Sequence, residues 1–170
     1  MKIAVMGTGG VGGFFGGLLA KNNDSVTFIA RGEHLQAIRN NGLTVESKNN
    51  GVFTVNADAT DDTAILPPQD LILFTVKMYH NDEAINAIKP MVGANTVILT
   101  LQNGVRNGYD LSDAFGKDRV MIGTVMLEGR ITSPGIVTQG GPGVAHFGEM
   151  YRGISPRGES LLSLFKSSEW

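Results

Sequence analysis

The chain has 170 residues, 42% of them hydrophobic and 18% charged, with a formal net charge of −2. That suffices for one globular domain with a sizeable core and is cramped for two. Near-neutral charge offers no basic field to a phosphodiester backbone, which argues against nucleic acid as a partner, and the absence of Cys excludes disulfides, thiolate metal sites and cysteine nucleophiles.

His34, His80 and His146 lie far apart without ligand-like spacing, so no metal site is expected. No run approaches the ~18 apolar residues of a membrane span, and no small-residue cleavage signature follows the N-terminus. The expectation is a soluble, cytoplasmic protein without a membrane partner.

Residues 2–6, Lys-Ile-Ala-Val-Met, read as a buried strand, and residues 11–21 carry apolar side chains at the spacing of one helix face. Asn22-Asn23-Asp24 breaks that helix, and the β-branched run 25–30 is a second strand, completing a βαβ unit of about 30 residues. A helix over 33–40 stops at Gly42. Runs 43–47 and 52–57 then alternate around Asn50-Gly51, as in an antiparallel hairpin inserted between parallel units.

Pro67-Pro68 resets the chain, and residues 70–76 are apolar on both faces, as a central parallel strand should be. A helix over 82–89 stops at Pro90, a strand follows at 96–101, a helix at 109–115 and a strand at 119–125. Short β-like runs at 136–138 and 144–147, set among Gly and Pro, predict an antiparallel edge closing the sheet. Residues 159–166 form a last helix with Leu161, Leu162, Leu164 and Phe165 apolar, before the chain stops at Trp170. The fold class is α/β: a doubly wound, mostly parallel Rossmann-type sheet over 1–170, with an inserted hairpin and antiparallel edge strands.

Gly7-Thr8-Gly9-Gly10-Val11-Gly12 matches G-x-G-x-x-G, placed after a strand and opening a helix inside the βαβ unit. Gly7 permits the tight turn, Gly9 lets a pyrophosphate approach the backbone, and Gly12 lets helix and strand pack closely. The helix N-terminus presents free N–H groups to the anion. The expected ligand is a dinucleotide, although folds that bind S-adenosylmethionine carry similar loops.

The second strand ends Phe28-Ile29-Ala30-Arg31, where an NAD site normally places an Asp or Glu for the ribose hydroxyls. Arg31 offers a forked cation to a 2′-phosphate and favours NADP. Glu33, two residues on, leaves NAD open.

These residues, with Ala30-Arg31-Gly32-Glu33-His34-Leu35, Asn41-Gly42-Leu43, Thr75-Val76-Lys77, Leu101-Gln102-Asn103-Gly104-Val105, Gly123-Thr124 and Ser133-Pro134-Gly135-Ile136-Val137, resemble the 2-dehydropantoate 2-reductase (ketopantoate reductase) family over nearly the whole chain. The resemblance implies NADPH-dependent reduction of ketopantoate, a small 2-oxo acid, to pantoate on the way to pantothenate and coenzyme A. It places Lys77 and Asn103 along the cofactor and substrate cleft, with Asn103 touching substrate and Lys77 positioning, and brings the Gly129 backbone near the cofactor beside Glu128.

The family's general acid is a lysine in an all-helical C-terminal domain, which this chain would lack. No catalytic residue is therefore expected within 1–170, and the isolated chain is expected to be inactive. A helix with unpaired apolar residues near its end would also favour a homo-oligomer. Two other readings stay open: a reductase of another 2-oxo acid sharing this half, and a non-catalytic dinucleotide-sensing module.

Overall fold

The computed structural model describes residues 1–22, 25–151 and 153–168. Asn23 and Asp24, expected to break the first helix, and the terminal Trp170 lie outside the described residues.

In chain order the strands are β1 (Ile3–Met6), β2 (Val26–Ile29), β3 (Leu43–Ser47), β4 (Gly51–Val55), β5 (Asp58–Thr60), β6 (Gln69–Phe74), β7 (Val92–Thr100), β8 (Val120–Ser133) and β9 (Ile136–Glu149). The helices are α1 (Gly10–Lys21), α2 (Gly32–Asn41), α3 (Asn81–Ile88), α4 (Asn107–Phe115) and α5 (Pro156–Ser167). Among the described residues the nine strands form one sheet in the order β4-β3-β9-β8-β7-β6-β1-β2-β5.

Six of the eight pairings are parallel and two, β3 with β4 and β8 with β9, are antiparallel. The run β5-β2-β1-β6-β7-β8 is the doubly wound dinucleotide-binding order, reversing direction between β1 and β6.

Strand β1 shows why the sheet needs helices on both sides. Side chains alternate along a strand: Ile3 and Val5 face a core shared with Phe14, Phe15, Leu18 and Leu19 of α1, while Ala4 and Met6 face a second core holding Ala84 and Ile88 of α3 and Leu111 of α4. Helix α1 lies very close to the sheet because five of its twelve residues are glycine. At Gly16, for example, a Cβ would come within 2.8 Å of Val5 and Phe28 side chains.

Three features differ from the expectation. Strand β5, three residues beside β2, escapes detection because so short a run has no periodicity to read. The β3–β4 hairpin is sequence-inserted as expected, but it crosses the molecule to join β9, so it takes the outermost place on that flank and β9 becomes an interior strand.

The two short runs at 136–138 and 144–147 are one strand. Gly140-Gly141-Pro142-Gly143 is a bulge rather than a turn: pairing jumps from Met126↔Val144 to Glu128↔Gly140, and Gly141 and Gly143 take the positive φ angles that the extra residues require. Among the described residues no helix is long and apolar enough to cross a membrane.

Candidate functional site

At the C-terminal ends of β1, β2 and β6, where the strand order reverses, a cleft of about 400 Å³ opens. Open α/β sheets bind ligands at this switch point. One wall is the glycine loop. Gly7 has φ +98°, a conformation L side chains rarely adopt, and its carbonyl accepts a 2.9 Å hydrogen bond from the Thr75 hydroxyl. Thr8 is buried in the cleft wall, its hydroxyl and its N–H both donating to Ile29 O, which pins the loop to β2.

Gly9 is the N-cap of α1, and a Cβ there would meet nothing within 4 Å. Its neighbour differs completely: a Cβ at Gly10 would lie 2.1 Å from the carbonyl carbon and oxygen of Gly129. Gly12 is likewise a packing residue, its Cβ position 2.3 Å from Gly7 O and 2.4 Å from the Thr75 hydroxyl, and it lies outside the cleft lining. Gly10 and Gly129 therefore present only backbone to the cleft, beside Val11.

No side chain caps α1 and its first turn holds no acid. The first N–H groups of a helix lack intrahelical partners and carry the positive end of its dipole. The open space at Gly9 and those amides together fit the pyrophosphate of a dinucleotide.

Arg31 stands at the β2 end of the cleft as the N-cap of α2. Its guanidinium pairs with Glu83 at 2.7 Å, and that hydrogen bond chiefly raises the Arg31 pKa and lowers that of Glu83. Glu33, in the first turn of α2, is exposed and does not line the cleft.

His34 does line it, half-buried. Its Nδ1 accepts from the Gly135 N–H at 2.9 Å, so the ring proton sits on Nε2, which is buried without a hydrogen bond among the described residues. Burial lowers the His34 pKa, and the Thr8 backbone only partly offsets this.

Lys77 and Asn103 follow β6 and β7 as expected but only Lys77 reaches the first cleft. They meet in an adjoining cavity of about 250 Å³ that shares Val11, Thr75, Val76, Lys77 and Tyr79 with it. Both side chains are exposed, and a chain of buried amides behind them fixes their backbones.

Gln102 Nε2 donates to Val76 O at 2.6 Å and to Asn81 Oδ1 at 2.8 Å, while the Thr100 hydroxyl donates to Gln102 Oε1. Asn81 Nδ2 donates to Asn107 Oδ1 at 2.9 Å, and Asn107 Nδ2 to Asn103 O at 2.8 Å. The residue before Lys77 and the carbonyl of Asn103 are thus ends of one network. Sequence reading assigned no role to Glu83, His34 or these amides; His34 and Gln102 lie inside quoted motifs, while Glu83, Asn81 and Asn107 had no such signal.

The family described as "Ketopantoate reductase PanE/ApbA" matches residues 3–152. The chain belongs to the ketopantoate reductase family. The 2-dehydropantoate 2-reductase of Pyrococcus horikoshii is 36% identical over 166 residues, 97% of this chain and 53% of that protein. That of Halobacterium salinarum is 32% identical over 157 residues, 91% of this chain and 51% of that protein. The crystal structure of 2-dehydropantoate 2-reductase from Geobacter metallireducens superposes with a TM-score of 0.93 at 34% identity, over 99% of this chain and 56% of that one.

The chain spans about half the length of the curated relatives it matches. Every candidate residue from Gly7 to Gly129 lies inside the stretch that defines the ketopantoate reductase family.

Proposed function

We propose that this chain is the cofactor-binding half of a cytoplasmic, NADPH-dependent reductase that converts 2-dehydropantoate to pantoate. The observation that carries the reading is that one cleft is lined both by the open, uncapped α1 N-terminus at Gly9 and by Arg31. An anion-binding backbone and a forked cation in one cleft suit a dinucleotide whose ribose carries a phosphate.

A bound reduced nicotinamide supplies the hydride. The chain's own residues orient: α1 amides take the pyrophosphate, the Asn103 amide can donate to a substrate oxygen, and the Lys77 ammonium offsets the charge of a 2-oxo acid. Reduction also needs a proton donor for the developing alkoxide, a role this reading gives to the lysine that the family resemblance implies outside residues 1–170. Such a donor is worth about 10²- to 10⁴-fold in rate.

The test is titration of the chain with NADPH and with NADH, followed by fluorescence of the reduced nicotinamide, for the unmodified protein and Arg31→Ala. A charge-assisted contact to phosphate contributes about 1.5–3 kcal/mol, so NADPH should bind about tenfold more tightly or better, and Arg31→Ala should erase the difference. Added 2-dehydropantoate should be reduced at a negligible rate. Equal affinities that are indifferent to Arg31, or turnover at the rate of an ordinary reductase, would overturn the reading.

A further inference from the structure

Resting on the cofactor reading above, we propose that Glu83 sets cofactor specificity: it competes with a 2′-phosphate for Arg31 and so limits the preference for the phosphorylated dinucleotide. Arg31 and Glu83 are 52 positions apart in sequence and reach the cleft from two different elements, one after the end of β2 and the other in the first turn of α3. Their contact of 2.7 Å joins two residues of the cleft lining, at the end of β2 where a dinucleotide-binding fold places the ribose of its ligand.

Both side chains are more than half exposed, at 61% and 55%. An ion pair in such a setting is weak and exchangeable, so an arriving phosphate can displace it rather than be shut out. The displaced carboxylate nevertheless stays on α3 beside the phosphate, and like charges at close range cost affinity.

Other acids do not fill this role. Asp61 also acts on Arg31 electrostatically, but it pairs with Arg39 at 3.6 Å and does not line the cleft. His80 sits 3.8 Å from the far oxygen of Glu83 and leaves the oxygen facing Arg31 unobstructed. An unphosphorylated ribose asks nothing of Arg31, so the bridge can persist when NADH binds. Glu83 therefore acts on one cofactor and not the other, which makes it a specificity residue.

The experiment compares dissociation constants for NADPH and NADH in the unmodified chain, Glu83→Gln, Glu83→Ala and Arg31→Ala. Both Glu83 variants should tighten NADPH about fivefold and change NADH less than twofold, so the NADH-to-NADPH ratio widens. If the unmodified chain prefers NADPH through Arg31 but neither Glu83 variant widens the ratio, the role of Glu83 is overturned and the cofactor reading stands. If neither the unmodified chain nor the Glu83 variants prefer NADPH, both fall.

Discussion

The glycine loop and the rim formed by the ends of β6 and β7 border the same pair of cavities, but one is shaped by backbone against backbone and the other by side-chain amides. At the loop, the tolerance is set by atoms that cannot move: Gly10 on Gly129, Gly12 on Gly7 O. At the rim, Thr100, Gln102, Asn81 and Asn107 hand hydrogen bonds from one to the next until they reach Asn103 O. The first design fails by steric overlap and the second by leaving polar groups unpaired, so the two should break differently.

The largest effect is expected where backbone meets backbone. Gly10→Val places a branched side chain where even a Cβ is 2.1 Å from the Gly129 carbonyl, and neither partner can yield without moving α1 off β8. Since a whole domain is stable by only about 5–15 kcal/mol, this variant should show no cooperative melting transition at all. A Tm within a few degrees of the unmodified protein would mean that α1 and β8 can part cheaply, and the steric account of the loop would be wrong.

A smaller effect is expected at the rim. Gln102→Leu keeps the volume roughly constant but strands Val76 O and Asn81 Oδ1. Two unpaired buried groups cost about 2–4 kcal/mol, equivalent to a Tm lower by roughly 5–15 °C in a domain of this size. The variant should still fold and still bind cofactor at the glycine loop. Unchanged Tm would show that the network carries no energy, and the contrast between the two walls would disappear.

The same contrast explains what could be read before the structure was known. The glycine loop is written in consecutive residues, and its mechanism demands glycine, so Gly7, Gly9 and Gly12 announce their roles. The central strands announce themselves by being apolar on both faces. The amide network joins residues 21 to 26 positions apart, and nothing local distinguishes Asn81 or Asn107 from surface asparagines.

Glu83 is hidden for the same reason: only the fold brings the first turn of α3 within reach of Arg31, 52 positions earlier. The destination of the β3–β4 hairpin is equally illegible, because alternation shows that a hairpin forms and not which flank of the sheet receives it. Thr8, inside the motif, lines the cleft, and its hydrogen bonds to Ile29 are a feature that the motif alone does not disclose.

The most direct test of the central claim, that the open face of the loop takes a dinucleotide pyrophosphate, is Gly9→Val measured for both melting and NADPH binding. A Cβ at Gly9 meets nothing within 4 Å, and its φ of −94° is one that valine adopts, so the Tm should stay within a few degrees. The branched side chain would fill the space above the α1 amides, and NADPH affinity should fall by about 100-fold or more, the equivalent of roughly 3 kcal/mol. A folded Gly9→Val that still binds NADPH with unmodified affinity would contradict the account.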